Sequence, residues 1–225
     1  MRAMASRIGI VPVAVCASAA TAQVVFPEDF NGTFPPTGWT VVNNADGPAW
    51  QLNTATGREN DTGGDGTAAT IDSDASTGFN VEDCELISPP FAVPENAFLE
   101  FAHSFRWHFL PPDEQADVDI SIDGEIWTNL ANYSGGDDGY PGGAHKSIDL
   151  GAYAGQTVQI RFHYYDANWD WWWQVDNVGI IQVTEIPAVS SWGLLITALA
   201  LLTLGTMVMQ ARPCAATTRA AAASS

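Results

Sequence analysis

Basic side chains are scarce in this chain: eight Lys and Arg stand against 26 Asp and Glu, a formal net charge of −18. Every acid lies between residues 23 and 187, where only Arg58, Arg106, Lys146 and Arg161 oppose them. A surface this acidic repels nucleic acid and anionic lipid, and excludes nucleic acid as a partner. It suits solubility and divalent cations. Cysteine is nearly absent too. Cys16 and Cys214 lie towards the two ends, so Cys84 has no partner for a disulfide in the middle segment. Beside an apolar strand it reads as a small buried residue. Helical spacing of apolar residues is missing between 23 and 187. The signatures of catalysis are missing as well. His103, His108, His145 and His163 form no H-E-x-x-H pair, and Ser104 follows His103 outside any G-x-S-x-G context. With 26 acids, a carboxylate pair for glycoside hydrolysis is always available, which empties that idea of content. The expectation is a protein that is not an enzyme.

Long apolar runs occur only near the two ends. Arg2 and Arg7 precede IGIVPVAVCASAA and then Ala20-Thr21-Ala22, the layout of a secretory signal peptide over 1–22 with Gln23 opening the mature chain. Residues 192–209 hold eighteen positions without a charge, the lower edge of what a transmembrane helix needs. Arg212 and Arg219 beyond them keep the short tail, 213–225, on the cytoplasmic side. The domain would then stand outside the membrane and be tethered to it.

The exported segment, 23–185, alternates throughout. ADVDISIDG sets Val118, Ile120 and Ile122 against Asp117, Asp119, Ser121 and Asp123. TVQIRFHYY turns Val158, Ile160, Phe162 and Tyr164 inward, and FLEFAHSFRW does the same with Leu99, Phe101, His103, Phe105 and Trp107. About ten such strands, parted by stretches such as NGTFPPTG, ENDTGGDGT and YSGGDDGYPGG, predict one all-β domain, an antiparallel jelly-roll β-sandwich.

The order of landmarks carries a resemblance. FPPTGWTVVNN opens the domain, ATIDSDA and CELISPPFAV follow, and LGAYAGQTVQIRFHY and WQVDNV close it. Over residues 26–183 this resembles the bacterial choice-of-anchor J domain, related to cleaved-adhesin and MAM-type jelly rolls. EIPAVSSWGLL ahead of the apolar run resembles an IPTL-type sorting signal over 186–212, with Ile186, Pro187, Trp192 and Gly193 as its motif and Ala188-Val189 in place of Thr-Leu. The likeness implies a surface-attached adhesion module, and a sorting or processing protease as a partner.

Two chemistries are open to such a module. DTGGDGTAATIDSDA places Asp61, Asp65, Gly66 and Asp72 at EF-hand positions 1, 5, 6 and 12. Gly63 at position 3 and the absence of flanking helices rule that motif out. The resemblance implies instead a structural Ca2+ tying the first strand, a middle loop and the last strand. The matching residues are Asp29 or Asn31, Asp72 and Asp74, and Asp176, each also readable as a solvated turn acid. The second chemistry lies in WDWWWQVDN, residues 169–177. Strand alternation puts Trp173 in the core and Trp172 on the other face. Trp172 or Trp169, with Tyr165 and Tyr140, would form an aromatic patch for a glycan or protein ligand, or else pack at the rim.

Overall fold

The computed structural model describes residues 20–75, 81–109, 113–185 and 199. Ala20–Thr184 forms one compact unit. The signal-peptide stretch before Ala20, the motif residues Ile186, Pro187, Trp192 and Gly193, and all of the apolar run but Leu199 lie outside the described residues. Among the described residues no helix is long and apolar enough to cross a membrane. The first strand starts at Ala20, three residues before Gln23.

Twelve strands are described: β1 (Ala20–Glu28), β2 (Thr40–Asn43), β3 (Gln51–Leu52), β4 (Ala69–Asp72), β5 (Glu82–Ile87), β6 (Phe91–Ala92), β7 (Ala97–Arg106), β8 (Gln115–Ser121), β9 (Thr128–Tyr133), β10 (Ala144–Asp149), β11 (Thr157–Ala167) and β12 (Trp172–Glu185). One helical turn, α1 (Asn53–Thr56), follows β3. The strands make two six-stranded sheets. The first runs β10-β7-β12-β4-β3 with β1 on β12, and the second β2-β5-β11-β8-β9 with β6 on β11. Neighbouring strands along both sheets run antiparallel.

Alternation builds the core between the sheets. Leu99, Phe101, His103 and Phe105 from β7, Val118 and Ile120 from β8, and Val158, Ile160, Phe162 and Tyr164 from β11 are buried. Trp173 sits at their centre, its ring 5.4 Å from Trp50 and 5.8 Å from Phe162, and its indole N–H donates to His103 Nδ1 at 3.2 Å. Burial holds that imidazole neutral, its pKa pushed down to about 4. Two expected positions differ. Ile122 is exposed because β8 ends at Ser121, whose hydroxyl accepts from Gly124 N and turns the chain. Asp119, expected in solvent, is buried because Arg161 Nε and Nη2 donate to its Oδ2 at 3.0 and 2.8 Å.

Two of the fully buried acids, Glu114 and Glu82, differ in their partners. Glu114 accepts from Tyr164 Oη and from His108 N, whereas neither oxygen of Glu82 has a hydrogen-bond partner. Burial pushes both carboxyls up to about 8. Unfolded, Glu82 loses its proton near the ordinary 4.5. Between these values the folded state alone keeps the proton, so stability falls as pH rises from 4.5 to about 8. Glu82→Gln, a mimic of the protonated acid, is expected to gain roughly 4 kcal/mol at pH 8 and almost nothing at pH 4. Urea denaturation of both proteins at the two pH values checks this. An equal difference at both would mean that Glu82 ionises normally in the fold.

Candidate functional site

Much of the outer face of the first sheet is polar in sequence yet covered. Across β7, β12 and β4 the register sets Arg106, Trp172 and Asp72 in one row and Ser104, Gln174 and Thr70 in the next. Asp176 follows opposite Ala102. Thr70, Asp72, Ser104, Gln174 and Asp176 are all buried, because the segment after α1 runs along β12 and bonds to it step by step. Arg58 stacks its guanidinium 3.8 Å above Trp172. Gln174 Nε2 donates to Glu59 O and its Oε1 accepts from Asp61 N, both at 2.8 Å. Asn60 Nδ2 and Thr62 Oγ1 donate to Asp176 Oδ2 at 3.1 and 3.2 Å.

This segment folds tightly enough to require glycine. A Cβ on Gly64 would lie 2.2 Å from Asp176 Oδ2, and one on Gly66 would lie 1.9 Å from Asn31 Oδ1. Phe30 adopts a left-handed φ of 50° that drives its ring into the core. Next to it, Asn31 Oδ1 accepts from Thr67 N at 2.7 Å, and Asn31 N donates to Asp29 Oδ1 at 3.0 Å. Asp29 is near enough to act on Asp176, whose carboxyl is raised first by burial and also by that charge. The Asn60 amide nitrogen is ringed by three oxygens: Asp176 Oδ2 at 3.1 Å, Gly66 O at 3.3 Å and Gly64 O at 3.5 Å. Carboxylate, carbonyl and amide oxygens are the kind of hard donors that Ca2+ takes, and here they accept from the Asn60 amide and from Thr67 N. Asp29, Asn31 and Asp176 would hold the ion, with backbone carbonyls of the loop.

Asp72 and Asp74 do not join them. Asp72 pairs with Trp172, four residues from Asp176, about 13 Å along the strand. Its two oxygens accept from Arg58 Nε at 2.7 Å and Nη2 at 3.1 Å, and Asp74 Oδ2 accepts from the same Nη2 at 3.1 Å. A guanidinium supplies their positive charge.

The four aromatic residues also separate. Trp172 is 4% exposed, covered by Arg58 and edge-on to Tyr140 at 5.7 Å. Tyr165 lies on β11 in the other sheet, stacked on His163 at 4.5 Å with its hydroxyl donating to Asp117 Oδ2. Trp169 is 47% exposed. Strand alternation does not reach it, because Trp169 and Trp171 take left-handed φ values of 61° and 73° before β12 begins. The rings that gather are Tyr140, Trp171 and Trp172, around Arg106.

One further group has no signature in the sequence. On the outer face of the second sheet, Asp83, Glu85 and His163 have ligand atoms within 4.8 Å of one another. They already have partners: His163 Nε2 lies 2.8 Å from Asp83 Oδ1, and Arg161 Nη1 donates to Glu85 at 2.9 Å. The alternation of EDCELI places both acids on one face, while the imidazole arrives only through the β5–β11 register. His103 and Ser104 point to opposite faces of β7, so they do not form a nucleophile–base pair.

No protein-family model matches the chain, and no curated protein matches it. Solved structures do. The K1 cleaved adhesin domain of Lys-gingipain from Porphyromonas gingivalis W83 is 18% identical, with a TM-score of 0.51 over 72% of this chain and 97% of that one. The K3 cleaved adhesin domain of the same protein is 17% identical, with a TM-score of 0.52 over 70% and 98%. The fold is shared with cleaved adhesin domains. At this identity the likeness speaks for the sandwich alone.

Proposed function

We propose that the chain is an exported, surface-attached binding module of the choice-of-anchor J type, without catalysis of its own, whose covering loop is clasped to β12 by Ca2+. The observation that carries this reading is the Asn60 amide nitrogen standing among Asp176 Oδ2, Gly64 O and Gly66 O. A divalent ion beside it would draw on the same oxygens together with Asp29 and Asn31. Fixing this loop fixes the surface beside it, since a rigid scaffold presenting ordered loops is what a recognition module needs. The signal-peptide layout of 1–22 and the IPTL-like segment with Ile186, Pro187, Trp192 and Gly193 support export and attachment through the membrane or a processing protease.

The test is a thermal melt of the full chain with Ca2+, Mg2+ or chelator. An ion binding only the native state at a hundredfold excess over Kd adds about 2.7 kcal/mol, so Ca2+ is expected to raise the melting temperature by several degrees. Mg2+ is expected not to, and Asp176→Asn to abolish the response. A melt indifferent to Ca2+ would sink the clasp.

A second reading, glycan binding, is favoured by the rings of Tyr140 and Trp171, both partly exposed beside the Arg106 guanidinium. Aromatic faces next to polar groups are the chemistry that sugars select.

A further inference from the structure

Between residues 23 and 187 three of the four Lys and Arg side chains are matched to carboxylates. Arg58 is held by Asp72 and Asp74, Lys146 by Asp138, and Arg161 by Glu85 and Asp119. Arg106 is the exception. Among the described residues its side chain has no hydrogen bond and no carboxylate within 4.0 Å, in a chain with 26 acids. Its guanidinium carbon instead lies 3.7 Å from the centre of the Trp171 ring and 4.6 Å from those of Tyr140 and Trp172.

The fold assembles this arrangement from three segments. Register places Arg106 opposite Trp172, the left-handed turn at Trp171 brings in the second ring, and the bridge from Phe105 to Gly139 positions Tyr140. Stacking fixes the plane of a guanidinium and leaves its in-plane N–H fork free, the geometry that grips a carboxylate bidentately. The neighbouring carboxyl is Asp61, which feels the charges of both Arg106 and Arg58 and adjoins Trp172. A carboxylate oxygen there accepts from hydroxyl groups. The acids elsewhere on the domain oppose an anion only weakly, because at physiological ionic strength charges are screened over about 8 Å.

A fork for a carboxylate, an acceptor for hydroxyls and ring surface for C–H groups together describe a hydroxylated acidic ring. We infer that Arg106 anchors the carboxylate of an acidic sugar, with Asp61 accepting its hydroxyls and Tyr140 and Trp171 flanking its ring. This rests on the reading of the chain as a ligand-binding module.

The experiment is retention of the full chain on an array of glycans ending in hexuronic or sialic acids, each beside its carboxyl-reduced twin. The expected result is at least tenfold tighter retention on one or more acids than on the reduced twins. Arg106→Gln should lose that preference, and Arg106→Lys should lose most of it, because charge without the planar fork is insufficient. Equal retention of acid and twin by the unmodified chain overturns the inference while leaving a neutral-glycan module standing, and needs no variant to fold. Retention unchanged in Arg106→Gln also overturns it. So does retention of no glycan, and then the calcium melt decides independently whether the clasp survives.

Discussion

Trp172→Ala is expected to destabilise the folded domain by about 3 to 5 kcal/mol, a loss of the same size as that of Trp173→Ala. The two indoles project from opposite sides of β12, and a two-layer sandwich ordinarily buries only one of those sides. Here both are closed. Trp173 is fully buried among Trp50, Phe162 and Tyr133. Trp172 is 4% exposed beneath the Arg58 guanidinium, with Arg106, Trp171 and Tyr140 around it. Removing the Trp172 ring would leave a cavity under the covering loop and take from Arg58 and Arg106 a face on which each is stacked. For a domain of this size the melting temperature should fall by roughly 10 °C in either variant. Urea titrations of both variants check this. A loss below about 1 kcal/mol for Trp172→Ala would place that ring on an open surface and return it to the role of a sugar platform.

The depth of burial on this face explains what could be read from the sequence and what could not. Period-two alternation specified the inner faces of β7, β8 and β11, because a residue pointing between two sheets must be apolar whatever covers the rest. The same rule does not reveal that the outer face of β12 is covered. Gln174 and Asp176 alternate with Trp173 and Val175, which is the pattern of a half-solvated strand, yet both are buried. Their cover comes from residues 58–62, more than a hundred positions earlier, and no local pattern announces a contact of that range. The candidate ion site divides for a related reason. Asp29, Asn31 and Asp176 are the positions that the order of landmarks implies and that the proposed site keeps. Asp72 and Asp74 carry the right chemistry, but strand register sets them beside Arg58, and register is not written in composition. Asn60, Thr62, Gly64 and Gly66 gather against Asp176 and would complete the proposed clasp. Their signal was present as the glycine-rich stretch ENDTGGDGT, where glycine marks close approach of backbone to another group.

That close approach yields the second large effect. Gly143→Ala is expected to cost about 3 kcal/mol or more, although it adds a single methyl group. The position has a φ of 83°, where an L side chain already costs roughly 1 kcal/mol. The added Cβ would lie 1.8 Å from Thr62 O, 2.1 Å from Thr62 C and 2.6 Å from Gly63 N. All three are backbone atoms, so no rotamer change relieves the overlap, and one of the two loops must move. Thr62 is itself held, its hydroxyl within hydrogen-bond distance of Asn60 Oδ1 at 2.6 Å and Asp176 Oδ2 at 3.2 Å. Pushing it away loosens the oxygens proposed to hold Ca2+. The variant should therefore lose stability in chelator and also lose most of the calcium-dependent rise in melting temperature. Gly136→Ala is the control, since nothing lies within 4 Å of a Cβ there and no left-handed φ is required; it should stay within about 0.5 kcal/mol of the parent. If Gly143→Ala is destabilised yet keeps the full calcium response, the two loops are joined by packing alone and the ion, where it binds, does not depend on their contact.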